Sequence, residues 1–125
     1  MGPIYHLGTN EDKIKVINEC KRVVKKNCII TTAYLNRMAQ YVKPISGDPD
    51  SVDDEKLLKS SAFKFDSPEY IDRLHEECNI EKISNVGTDG LSYLLNKSIN
   101  NFTSEQYKKW FANHITTCEN ASLPG

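Results

Sequence analysis

The chain has 125 residues, one domain's worth, with 38% hydrophobic and 26% charged residues. That composition excludes a disordered chain and allows about two thirds of the unfolded surface to be buried. A net charge of −1 from 16 basic and 17 acidic residues excludes the strong field that would draw nucleic acid or an anionic membrane. In chain order, Gly2-Pro3-Ile4-Tyr5-His6-Leu7 is short and apolar with a proline, and reads as a loop. Thr9, followed by Glu11 and Asp12, marks a helix start with carboxylates where the dipole favours them. Ile14, Ile17, Val23 and Val24 recur near helical spacing, and Lys21, Lys25 and Lys26 load the last turns, so a helix is expected over 10–26.

Asn27 breaks that helix. Residues 28–34, Cys-Ile-Ile-Thr-Thr-Ala-Tyr, are apolar on both alternating faces and predict a buried parallel strand. A short helix is expected over 35–42, stopped by Pro44. The acidic stretch 47–56 lacks the Asp-x-Asp-x-Asp-Gly order of a calcium loop and reads as a solvated connection. Ser67-Pro68-Glu69 is a clean helix start: a Ser cap, Pro at the first position and an acid in the first turn. Tyr70, Ile71, Leu74 and Cys78 form its apolar stripe. Residues 80–86 alternate apolar and polar, as a strand with one covered face does. A turn over 87–90 and a helix over 91–99 follow. Thr103 with Gln106 three residues on is a capping box, and Tyr107, Trp110, Phe111, His114, Ile115 and Cys118 line one face of the helix it opens. The aromatic members of that face are expected in a core.

No apolar run reaches the ~20 residues of a membrane span. The first residues show no basic stretch followed by an apolar one, so no signal peptide is visible. None of the four cysteines falls in a C-x-x-C, and the cysteines and histidines are scattered. No metal site is therefore expected, and the cysteines read as reduced thiols of a cytoplasmic protein. The three Asn-x-Ser/Thr triplets, beginning at Asn96, Asn101 and Asn120, read as accidents of composition.

The string Gly2-Pro3-Ile4-Tyr5-His6-Leu7 followed by Arg22-Val23-Val24-Lys25 and the strand over 28–34 resembles the stretch after the fourth strand of class I S-adenosylmethionine-dependent methyltransferases. In that family a Gly-Pro-Leu-Tyr-His-Leu-like loop leads through a helix ending Arg-Val-Leu-Lys-Pro-Gly-Gly into the fifth strand. Lys26-Asn27 replaces the Pro-Gly-Gly here, a departure that Asn tolerates because it accepts the left-handed conformation. The resemblance continues in order. Residues 63–80 look like the family's Phe-x-x-x-x-Pro-Glu-Glu helix before the sixth strand. Val86-Gly87-Thr88-Asp89-Gly90-Leu91-Ser92-Tyr93 resembles an Ala-Thr-Asp-Gly-Ile-Ser-Tyr segment. Trp110, His114 and Cys118-Glu119 resemble a Trp-x-x-x-His-x-x-x-Cys-Glu segment.

The resemblance implies an α/β fold: a partial Rossmann-like methyltransferase domain over 1–125, mostly helical with two strands. It implies that Tyr5 and His6 face the donor methyl or the acceptor, as catalytic residues, with the histidine suited to general-base work. Asp89, Tyr93 and His114 are implied to line the acceptor pocket. Tyr34, Asn36 and Arg37 follow the carboxyl end of a strand, where open α/β sheets place substrates. Each has a plainer reading: an exposed tail for Tyr5 and His6, capping loop residues for Tyr34, Asn36 and Arg37, a hydrogen-bonded core residue for His114.

The family's donor site is a glycine-rich turn plus an acid ending the second strand. The glycines here are at 2, 8, 47, 87, 90 and 125, so no G-x-G exists. The complete family uses S-adenosylmethionine; none is expected to bind this chain alone. Two functions are therefore expected as alternatives. One is the acceptor-side fragment of a methyltransferase, inactive by itself and completed by an N-terminal half. The other is a non-catalytic protein of that descent that binds a partner or itself, as a homodimer. Neither calls for nucleic acid or a membrane.

Overall fold

The computed structural model describes residues 2–39, 42 and 63–120. They fall in two compact units, Met1–Lys82 and Ile83–Gly125. The described residues are mostly helical with short parallel strands, a mixed α/β class.

The first unit opens with an element where a loop was expected. Gly2–Pro3 (β1) pairs in parallel with Thr32–Ala33 (β2), Gly2 opposite Thr32 and Pro3 opposite Ala33. A proline fits here because each strand of the pair is only two residues long and an edge tolerates its missing N–H. Ile4–His6 then make one 3₁₀ turn, and Ile4 is fully buried. Leu35–Asn36 (β3) pairs in parallel with Phe65–Asp66 (β4), so Leu35 and Asn36 are strand and not the start of a helix. After a turn at Arg37 and Met38, Ala39 and Val42 are helical and the Val42 amide donates to the Met38 carbonyl at 3.2 Å, so the later part of that expected helix does form. The acidic stretch 47–56 lies outside the described residues.

The strand expected over 28–34 is cut down to Thr32 and Ala33. Residues 28–31 join no ladder among the described residues, and Ile29 is 70% exposed. The reason is register. With Gly2 opposite Thr32, residues 28–30 run past the start of β1, and a strand without a neighbour has no ladder hydrogen bonds to hold it. Residues 80–86 likewise form no strand, and Ile83 is 76% exposed. Their alternation would suit a strand, but they join no ladder among the described residues.

Local signals held better. Asn10–Val23 (α1) begins at Thr9, whose hydroxyl accepts from the Asp12 amide at 3.1 Å. It ends three residues before the expected 26. The Cys28 amide closes a turn onto the Lys25 carbonyl at 3.1 Å, with Asn27 left-handed at φ 65°, and that turn needs Val24 extended. Val23 is then exposed rather than on the buried stripe. Pro68–Glu77 (α2) starts at Ser67, whose hydroxyl accepts from the Tyr70 amide.

Ile17 of α1, Ile71 and Leu74 of α2, Cys78 just past it, and Ile4 form the core of this unit. Burial pushes the Cys78 thiol up, with the charge of Glu77 adding to the shift. Lys13 is also buried, at 3% exposure, and its Nζ meets Asp66 Oδ2 at 2.7 Å while lying 4.8 Å over the Tyr70 ring. One cation thus ties α1, β4 and α2 together, and its charge is answered inside the protein.

In the second unit Ser92–Ile99 (α3) and Ser104–Cys118 (α4) stand near their expected positions. The capping box is complete: Thr103 Oγ1 accepts from the Gln106 amide, and Gln106 Oε1 accepts from the Thr103 amide. No side chain of either helix is fully buried.

Candidate functional site

The expected site residues fall into two groups, one in each unit. In the first unit, Tyr5 and His6 form the 3₁₀ turn at the carboxyl end of β1. Their rings lie 4.5 Å apart, and both meet Phe63 edge-on, at 5.8 and 5.1 Å. The Tyr5 carbonyl accepts from the Lys64 amide at 2.8 Å. His6 is exposed. Tyr34 packs partly against the core. Asn36 is buried, and its Oδ1 accepts from the Met38 amide at 2.9 Å, an Asx-type turn. Its side-chain oxygen is thus engaged in shaping the chain. Arg37 is exposed, and its amide donates to the Asp66 carbonyl at 3.0 Å.

In the second unit, Asp89, Tyr93 and His114 come together on one open groove of about 430 Å³. The loop before α3 places Asp89. Its carbonyl accepts from both the amide and the hydroxyl of Ser92, at 2.9 and 2.6 Å. Gly90 follows at φ 52°, and a side chain there would come within 2.7 Å of Thr117 Oγ1, 3.1 Å of Cys118 Sγ and 3.2 Å of His114. The left-handed backbone and the close approach to α4 both call for glycine. The Gly87 amide donates to the Cys118 carbonyl at 2.7 Å, fixing the loop to the end of α4.

On α4 the groove is lined by Tyr107, Trp110, Phe111 and His114, spaced three and four residues apart so that they share a face. The indole of Trp110 stacks on the His114 imidazole, centroids 4.6 Å apart and planes 16° apart. His114 Nε2 lies 3.4 Å from Cys118 Sγ. Of these aromatics, expected in a core, Tyr107 and Phe111 are half-exposed instead, Phe111 at 47%, while Trp110 is partly buried. Helical spacing shows that they share a face, not what covers it.

Two features escaped the sequence reading. The Lys13–Asp66 pair joins residues 53 apart, and no local pattern marks it. Phe63 at the Tyr5–His6 turn was seen only as the start of a motif. A Thr32 hydroxyl also lies 3.1 Å from His75 Nε2, and burial lowers the pKa of that imidazole, with Asp72 opposing and Lys82 reinforcing the shift. No group of three or more His, Cys, Asp or Glu side chains is placed to hold a metal among the described residues. No helix among them is long and apolar enough to cross a membrane. No family model, curated protein or solved structure matches the chain.

Proposed function

We propose that this chain is the acceptor side of a class I S-adenosylmethionine-dependent methyltransferase, working in the cytoplasm and active only with a half that binds the donor. The observation that carries this reading is the parallel β1–α1–β2 unit. Two parallel neighbours joined through a helix are the repeating piece of a Rossmann-like sheet. Tyr5 and His6 leave the carboxyl end of β1, the end at which such sheets bind ligands. The family's fourth strand, leading into Gly2, would run beside residues 28–31 in this register and supply the ladder they lack. In this reading His6 accepts a proton from the methyl acceptor and Tyr5 orients that acceptor.

The residues present do not fit the donor itself. No two glycines are separated by a single residue. At Gly8, the glycine that follows the Tyr5–His6 turn, a side chain would meet nothing within 4 Å, so no backbone cradle closes on it. Titration calorimetry with S-adenosylmethionine should give no saturable heat at low micromolar donor for the chain alone. The chain co-expressed with a glycine-turn half that ends at its fourth strand should copurify with it and bind the donor. Saturable binding by the chain alone, or a folded partner half that never pairs with it, counts against the reading.

A second reading rests on a different observation. Residues 28–31 lie outside any described ladder, with Ile29 exposed. A two-fold partner offering the same segment could pair with it, giving a homodimer without catalysis. Light scattering at tens of micromolar protein separates the two. A monomer of 14.2 kDa that is unchanged on tenfold dilution excludes the dimer.

A further inference from the structure

The groove of the second unit carries a statement about charge. Four aromatic residues line it: Tyr93, Tyr107, Trp110 and Phe111. Asp89 is its one carboxylate, and no Lys or Arg is among its lining residues. Aromatic faces carry the negative end of a quadrupole, and a carboxylate adds a full negative charge. An anion would meet repulsion from Asp89 and from the π faces of these four rings, and an organic cation would be attracted by them. His114, the fifth ring of the wall, is stacked on Trp110.

From this geometry we infer that the groove binds a small organic cation, an alkylammonium group carrying an apolar or aromatic body. The volume of about 430 Å³ lies within the range of small-molecule sites. Ser92, Asn96 and Asn100 add neutral polar groups to the wall, which can accept from an ammonium without opposing its charge. The inference deepens the proposed function by naming the chemical class of the acceptor. It rests on that reading for the groove's role in methyl transfer, but not for the binding itself.

The chain has one tryptophan, and it lines this groove, so intrinsic fluorescence reports the site directly. Benzyltrimethylammonium is the probe, titrated into the full chain without any donor. A saturable change in Trp110 emission is expected, with benzyl alcohol and benzenesulfonate at least tenfold weaker. Asp89→Asn should weaken the probe about five- to tenfold, with the far-ultraviolet spectrum unchanged. Phe111→Leu, at a half-exposed position, should weaken it about threefold and serves if Asp89→Asn fails to fold. The inference is overturned if benzenesulfonate or benzyl alcohol binds as tightly as the cation. A probe response that never saturates, or folded Asp89→Asn and Phe111→Leu chains that both bind like the parent, also overturns it. Because no donor is present, loss of cation binding refutes this inference alone. Failure to pair with a donor half refutes the methyltransferase reading alone.

Discussion

The two units of this chain use their apolar residues differently. In the first, Ile4, Ile17, Ile71, Leu74 and Cys78 are sealed together, and even a lysine is drawn inside and paired. In the second, α3 and α4 bury no side chain fully, and the large aromatics face a groove. Both helix faces show the same 3.6-residue periodicity. The difference lies in how many elements converge. A turn, two helices and short strands surround Ile17 and Leu74, whereas a loop and two helices leave the wall at Phe111 open. Apolar surface that is not sealed is available for recognition. Among the described residues the first unit is therefore the more closed of the two.

The largest effect should come from the ion pair. Lys13→Ala leaves Asp66 as an unanswered charge in a nearly closed site, at 11% side-chain exposure. Such a removal costs about 3–5 kcal/mol, to be measured by urea denaturation. The double change Lys13→Met with Asp66→Leu removes both charges and should recover most of that loss. If Lys13→Ala costs under about 1 kcal/mol, water reaches the pair and the first unit is less closed than described.

Next comes a direct contrast between the units. Leu74→Ala, at a 3% exposed position, should cost about 2–5 kcal/mol through lost transfer energy and a cavity. Phe111→Ala should cost clearly less, because about half of its ring is already in water. Equal losses in thermal or chemical denaturation would erase the distinction between core and groove.

Gly90→Ala sharpens the account of the second unit. The left-handed backbone alone makes any side chain there cost about 1–2 kcal/mol, and the added carbon presses on Thr117. The loop should shift, moving Asp89, so the Trp110 emission maximum should move as well. Thr117→Ala, which removes the contacting hydroxyl, together with Gly90→Ala should recover little, since the strain is mainly in the backbone.

The smallest effect concerns pH. The pKa of His75 is lowered in the folded chain, chiefly by burial. The unfolded chain therefore binds a proton at higher pH than the folded one. Stability from this group is present above the ordinary histidine range and declines as pH falls through that range toward the lower folded value. His75→Gln should flatten this part of a stability-against-pH curve. A curve of unchanged slope would assign the decline to other groups.

What could be read in the chain order alone was local. Thr9, Ser67 and Thr103 announce their helices because a cap reaches an amide only two or three residues away. Asn27 takes its left-handed turn because its own side chain tolerates that conformation. The stripe Ile71, Leu74, Cys78 is buried because the helical period sets one face. No local rule grouped Asp89, Tyr93 and His114, which came only from a resemblance; in the structure they line one groove.

The strands were misjudged because a strand is a relation between distant segments. Residues 28–31 have the composition of a buried strand, yet the ladder depends on where Gly2 falls opposite Thr32. Composition therefore fixed the preference for extended backbone, and pairing decided how much of it became a sheet. The same holds for Lys13. Its sequence neighbourhood is an ordinary charged helix turn, and only the approach of β4 and α2 buries it beside Asp66 and Tyr70. Burial of a charge requires a partner brought in from far along the chain, and the exposure of Phe111 likewise depends on what the described elements leave uncovered. Sequence set which residues share a face; tertiary structure set which faces were closed, because closure depends on contacts that no local spacing encodes.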